Sequence, residues 1–177
     1  MWRTVFLVLL FAAEAGAQTP LSNKPQSDKL KKETPSLQGA VNDVISNTVP
    51  GFSLLQPSKA TYLEGYGLVV MLEVSLEPTR NPFSSSKTPA EVRTIVTQRR
   101  KEIRDKLVEL LKQRVAAIES VGPADSVTII VYIINTNPAD LPDLPSQLVL
   151  RMKKQDALDF QEKKIADLSS RVTIREF

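Results

Sequence analysis

A chain of 177 residues, 42% of them hydrophobic and 24% charged, is long enough for one packed domain with an ordinary folded surface. It contains no cysteine and no histidine, which excludes disulfides, thiolate nucleophiles, cysteine-bound zinc, iron–sulfur clusters, Ser-His-Asp triads and imidazole ligation. Any catalysis would rest on carboxylates, Lys, Tyr or hydroxyls, and a net charge of +3 does not by itself name a partner.

The N-terminus reads as a cleavable secretory signal peptide over residues 1–17. Arg3 supplies the charged start, Val5 to Ala13 the apolar stretch, and Ala15-Gly16-Ala17 the small residues before a cut between Ala17 and Gln18. The stretch is about half the ~20 apolar residues that a membrane span needs. Cleavage would remove one base and one acid, Arg3 and Glu14, and leave the charge at +3. No later run is long enough to span a bilayer as a helix, and export makes nucleic acid an unexpected partner. Residues 18–34 carry only Leu21 and Leu30 as apolar side chains among prolines and lysines, and read as a flexible linker.

A single α/β domain is expected over residues 35–177. Thr34-Pro35 suits a helix start, and Leu37, Ala40, Val41, Val44 and Ile45 fall on one helical face before Pro50-Gly51. Phe52 to Leu55 and Ala60 to Leu63 read as two short strands, with a turn at Glu64-Gly65. Gly67 to Glu77 alternates as a strand buried on one side. Thr88-Pro89-Ala90-Glu91 is a capping box with proline at the first helical position. It opens a long helix to about Ser120, with Val92, Val96, Ile103, Leu107, Leu110, Leu111 and Ile118 as its stripe. Val127 to Ile134 is apolar on both faces and seeks cover on both. Leu148, Leu150 and Met152 alternate in a strand, residues 156–168 read as a helix, and Val172 to Glu176 as a closing strand.

This pattern predicts an α/β (α+β) fold. The expected form is a two-layer sandwich of a mixed or antiparallel sheet with one long helix, preceded by an N-terminal helix and hairpin. From residue 67 the order β-α-β-β-α-β is that of a ferredoxin-like split βαβ fold. That fold would place the 127–134 strand at an edge, although it is the most apolar strand. Either the N-terminal segment or a partner chain covers it, or the topology differs.

Few constellations suggest chemistry. Ser84-Ser85-Ser86-Lys87 has a Ser-x-x-Lys spacing but precedes its helix, so it reads as a loop and cap. Asn135, Asn137, Asp140 and Asp143 offer oxygen ligands without an alternating calcium-loop pattern, and read as a proline-stiffened connection. Glu64-Gly65-Tyr66-Gly67 enters a strand, where a dinucleotide fingerprint would leave one. Arg99, Arg100, Lys101, Arg104 and Lys106 crowd the long helix as a solvated face, or as a surface for an anionic envelope component; Tyr62 and Tyr66 flank the hairpin turn as a second contact surface. No catalytic, metal or cofactor-binding residues are assigned, and no cofactor is expected.

Residues 60–70 (ATYLEGYGLVV), the capped long helix, Leu144-Pro145-Ser146-Gln147-Leu148-Val149 and Val172-Thr173-Ile174-Arg175-Glu176-Phe177 resemble uncharacterised exported bacterial proteins. The resemblance implies a bacterial envelope setting, periplasmic or secreted, and no mechanism. The expectation is a non-catalytic module that binds an unknown protein or an anionic envelope component. The alternative is a carboxylate-dependent hydrolase of envelope polymers, with Glu64, Glu73, Glu77, Asp140 and Asp143 as its candidate acids. A third reading is a homo-oligomer formed through residues 127–134 or the long helix.

Overall fold

The computed structural model describes residues 24–49, 54–78, 87–135, 141 and 143–177. Their elements are α1 (Lys24–Thr48), β1 (Leu54–Leu63), β2 (Gly67–Val74), α2 (Pro89–Arg114), β3 (Ser126–Ile133), β4 (Gln147–Lys153), α3 (Lys154–Gln161) and β5 (Thr173–Glu176), with 3-10 turns at Val115–Ala117 and Ser169–Arg171. The five strands lie side by side in chain order. β2 and β3 are parallel, and every other pairing is antiparallel. The result is the expected α+β class with a mixed sheet.

The ferredoxin-like topology is corrected. A split βαβ unit places another strand between its two parallel strands, whereas β2 and β3 are direct hydrogen-bonded neighbours across the α2 crossover. The physical reason lies in β3. Val127, Ile129 and Val131 are buried on one face, and Ser126 and Thr128 on the other. Such a strand takes the centre of the sheet, where β2 and β4 flank it. Its apolar character is thus satisfied within one chain and does not call for a second copy.

Alternation along the strands divides the sheet into two faces. The helical face carries Leu68, Val70 and Leu72 of β2, the odd-numbered residues of β3, and Leu148, Leu150 and Met152 of β4. Against these pack Leu37, Val41 and Ile45 of α1, Val96, Ile103, Leu107 and Leu111 of α2, and Ala157 of α3. The three helices therefore share one face, and none of them contributes to the other.

The linker expected over residues 18–34 is also corrected from Lys24 onward, because α1 begins there and runs through Pro35. Composition weighed only apolar burial, but polar side chains hold this first half. Gln26 Nε2 donates to the Ser120 carbonyl at 3.1 Å, Lys29 pairs with Glu119 at 2.8 Å, and the Glu33 carboxylate accepts from Ser120. Pro35 is exposed, so its ring meets solvent, and the helix tolerates the lost backbone donor. Further along, Gln38 and Asn42 seat α1 on β1. They hydrogen-bond the carbonyl and the amide of Ser58, at an irregular register between Gln56 and Lys59. β1 is one continuous strand where two short ones were expected. The signal-peptide stretch, the cut after Ala17 before Gln18, Pro50-Gly51, Phe52, Ser84 to Ser86, Asn137 and Asp140 lie outside the described residues.

α2 opens on the expected capping box. The Thr88 amide donates to Glu91 Oε2 at 2.7 Å, and the Glu91 amide donates to Thr88 Oγ1 at 3.3 Å. With 26 residues it is about 39 Å long. α3 stops at Gln161, well short of Leu168. Lys163 adopts φ 60°, its amide donates to the Phe160 carbonyl at 3.0 Å, and the Lys164 amide donates to the Asp159 carbonyl at 2.8 Å. This is a Schellman ending with lysine where glycine is usual, and periodicity alone does not reveal it.

Gly67 fixes the entry into β2. Its φ is 114°, and a Cβ built there would lie 2.0 Å from the Ser126 carbonyl oxygen. Close approach of β2 to β3 at this point thus requires glycine. Gly67→Ala should lower unfolding stability by at least about 2 kcal/mol, measured by chemical denaturation. An unchanged midpoint would mean that the two strands separate without cost.

Candidate functional site

Two polar regions stand out, and they differ in how far their groups are committed. The first lies at the end of the helical layer. Lys154 is 5% exposed. Its Nζ donates to the carbonyls of Val115, Ala116 and Ile118 at 2.9, 2.6 and 2.8 Å. These carbonyls follow the last turn of α2, where the helix dipole is negative and acceptors are left over. Burial pulls the Lys154 pKa down, and the charges of Glu33 and Glu119 oppose it. Glu33 in turn accepts from the Glu119 amide at 2.9 Å, the Ser120 amide at 3.0 Å and the Ser120 hydroxyl at 2.6 Å. Burial alone would push its carboxyl up; the Ser120 and Glu119 donors and the Lys154 charge outweigh that and hold it below the ordinary range. Glu119 is likewise held down by its bond to Lys29. Tyr62 closes the same end, donating to Asp125 Oδ2 at 2.7 Å, and that bond together with burial raises its pKa. Each of these charges already has its partner.

The second region is the open face of the sheet. Register places Thr61, Val69, Thr128, Arg151 and Thr173 in one row across it, and Lys59, Met71, Ile130, Val149 and Arg175 in the next. A further row holds Glu73, Tyr132, Gln147 and Phe177, whose amide donates to the Gln147 carbonyl at 3.0 Å. Lys153 lies two residues beyond Arg151 on the same side. Among the described residues the face thus carries Lys59, Arg151, Lys153 and Arg175 against one carboxylate, Glu73. The Arg151 guanidinium stacks over the Tyr66 ring at 4.4 Å, and Thr128 Oγ1 donates to Tyr66 Oη at 3.4 Å. Arg151 Nε and Ser126 Oγ, both on this face, are buried with no hydrogen-bond partner among the described residues. Tyr132 and Phe177 are exposed at 37% and 62%.

The residues singled out from the sequence are dispersed. Arg99 Nη1 donates to the carbonyls of Leu76 and Glu77 at 2.9 and 3.0 Å, which ties α2 to the end of β2. Arg100 faces Glu176 of β5 at 3.6 Å and is mostly buried, and Arg104 pairs with its neighbour Asp105. Of the five, Lys101 and Lys106 are left exposed. Arg99 and Arg100 are therefore spent on holding the helix to the sheet. Tyr62 and Tyr66 do not form one surface: Tyr62 belongs to the polar end, Tyr66 to the open face. A shallow groove between α1 and α2, lined by Val44, Asp105, Lys106, Glu109, Leu110 and Gln113, sets two acids against one base.

Sequence reading missed Lys154, Glu33, Arg151 and Arg175. Lys154 and Glu33 look like surface residues until the chain is folded. The alternation of Arg151 and Lys153 with Leu150 and Met152 was a usable signal for the open face. Glu64 sits in the β1–β2 turn, at the far end of β2 from Glu73, and no three acids cluster among the described residues. No family model, curated protein or solved structure matches the chain.

Lys154→Met keeps the length of the side chain but leaves three carbonyls and Glu33 without their cation. It should cost about 3 kcal/mol in a denaturant titration. The carboxyl of Glu33 sits below its ordinary value of 4.5 in the folded state. Its contribution is therefore complete above that pH and is lost as the pH falls through the folded value. Glu33→Gln should shrink the stability difference between pH 7 and pH 3. A variant as acid-sensitive as the parent would contradict this assignment.

Proposed function

We propose that this chain is an exported, non-catalytic binding module of the bacterial envelope, and that its open sheet face docks an anionic partner. The observation that carries the reading is the imbalance on that face. Among the described residues, four cationic side chains and three aromatic rings surround a partly buried apolar centre, with a single carboxylate in the field. Clustered cations of this kind attract and orient an anionic surface. Guanidinium groups add planar, directional hydrogen bonding to carboxylate, phosphate or sulfate.

The charged groups elsewhere support the same assignment. The neighbouring carboxylates Glu33 and Glu119 are both held in their ionised forms, whereas a general acid needs a raised pKa. The N-terminal pattern of charged, apolar and small residues supports export. No described helix is long and apolar enough to cross a membrane, in keeping with a module that reaches its partner by surface contact.

The test is retention on an immobilised polyanion as a function of salt. The protein should be retained at low ionic strength and released as salt rises. Arg151→Glu with Lys153→Glu should elute at clearly lower salt. Lys101→Glu with Lys106→Glu, on the exposed side of α2, should shift elution less. The reverse order, or no retention at all, would overturn the assignment.

A further inference from the structure

The geometry points to an acidic polysaccharide as the partner of the open face. This deepens the reading of that face as an anion-docking surface and rests on it. Two features combine there. The first is a line of cations. Arg151 and Lys153 are two residues apart on β4, about 7 Å along the strand. Arg175 of β5 is the diagonal neighbour of Arg151, since Arg151 pairs with Thr173 and Val149 with Arg175. Diagonal cross-strand neighbours are also about 7 Å apart. The three Cα positions are therefore evenly spaced along a strip, suited to an anion that repeats along a polymer.

The second feature is a row of rings. Tyr132 and Phe177 lie on either side of Gln147, which pairs with both. They are two strand spacings apart, about 10 Å. Both project from one flat face and are exposed, at 37% and 62%. Two rings so placed, with an amide between them, offer stacking platforms for successive sugar rings and a donor and acceptor for a hydroxyl. A lipid bilayer is a poorer fit. Val69, Met71, Ile130 and Val149 are the apolar centre of the face and lie partly or fully buried in the sheet, while the exposed Leu63 and Ile134 stand at its opposite ends and form no continuous apolar patch with them. An acidic polypeptide would use the cation strip and would gain little from the ring row.

The test uses polygalacturonate as the probe, with polyglutamate and phosphatidylglycerol vesicles for comparison, and the protein purified from full-chain expression. Polygalacturonate should bind most tightly. Tyr132→Ala with Phe177→Ala should weaken it roughly tenfold or more while leaving polyglutamate affinity nearly unchanged. Arg151→Ala with Arg175→Ala should weaken both. Both ring positions are exposed, and an unchanged thermal midpoint verifies that the variant is folded. If the cation variant abolishes binding but the ring variant does not, the face docks anions and the polysaccharide assignment falls. Tighter binding to vesicles or to polyglutamate overturns it in favour of those partners. If none of the three probes binds, the docking reading falls with it.

Discussion

A single buried ammonium organises one end of this molecule. Lys154 Nζ sits among the carbonyls of Val115, Ala116 and Ile118, so it terminates α2 where a glycine or a solvent shell would otherwise do so. Its backbone amide also donates to the Asp125 carbonyl at 2.9 Å, which anchors β4 to the loop entering β3. Glu33 supplies the opposing charge from α1 and binds the amides just beyond α2. Three elements far apart in sequence thus meet around one buried cation and one hydrogen-bonded carboxylate of opposite charge, in a corner where losing either group's partners would be costly. That constraint explains why the first turns of α1, so polar in composition, are helical.

The same arrangement decides which side of the sheet is closed. α1 is fastened to β1 through Ser58 and to the end of α2 through Glu33. α2 is fastened to the sheet through Arg99 and Arg100, and α3 follows directly from β4. These fixings lie on the helical face. Most of the polar groups invested there are paired, and Arg99 and Arg100 of α2 are consumed in the process. On the other face the long cationic side chains Arg151, Lys153, Arg175 and Lys59 have the ring of Tyr66 and the carboxylate of Glu73 as neighbours, and nothing among the described residues balances their number. The three described helices hold one side of the sheet, and none of them covers the other.

Much of the fold was legible in the residues. The stripe from Val96 to Leu111, the capping box at Thr88 and the alternation of β2 and β4 follow from local chemistry, and each is present. The doubly apolar character of β3 was legible too. It sat poorly with the ferredoxin-like order, and of the alternatives it left open the structure shows a different topology, with β3 at the centre of the sheet. The extension of α1 to Lys24 was not legible, because it depends on partners some 90 residues away that no local pattern encodes. The early stop of α3 depends on a left-handed lysine, which sequence preference argues against. The candidate site was the least accessible part. Arg99 and Arg100 look like a free basic patch until the strand ends beside them are in place. Arg151 and Arg175 become neighbours only once β4 and β5 pair.

The central claim is that the sheet face that no described helix covers, and not the basic helix, meets the anionic partner. Amide chemical-shift mapping of the protein titrated with polygalacturonate tests it most directly. The account predicts shifts that cluster at Tyr66, Thr128, Tyr132, Gln147, Arg151 and Arg175 and leave the exposed side of α2 around Lys101 and Lys106 unmoved. Shifts concentrated along α2 with a silent sheet face would contradict it.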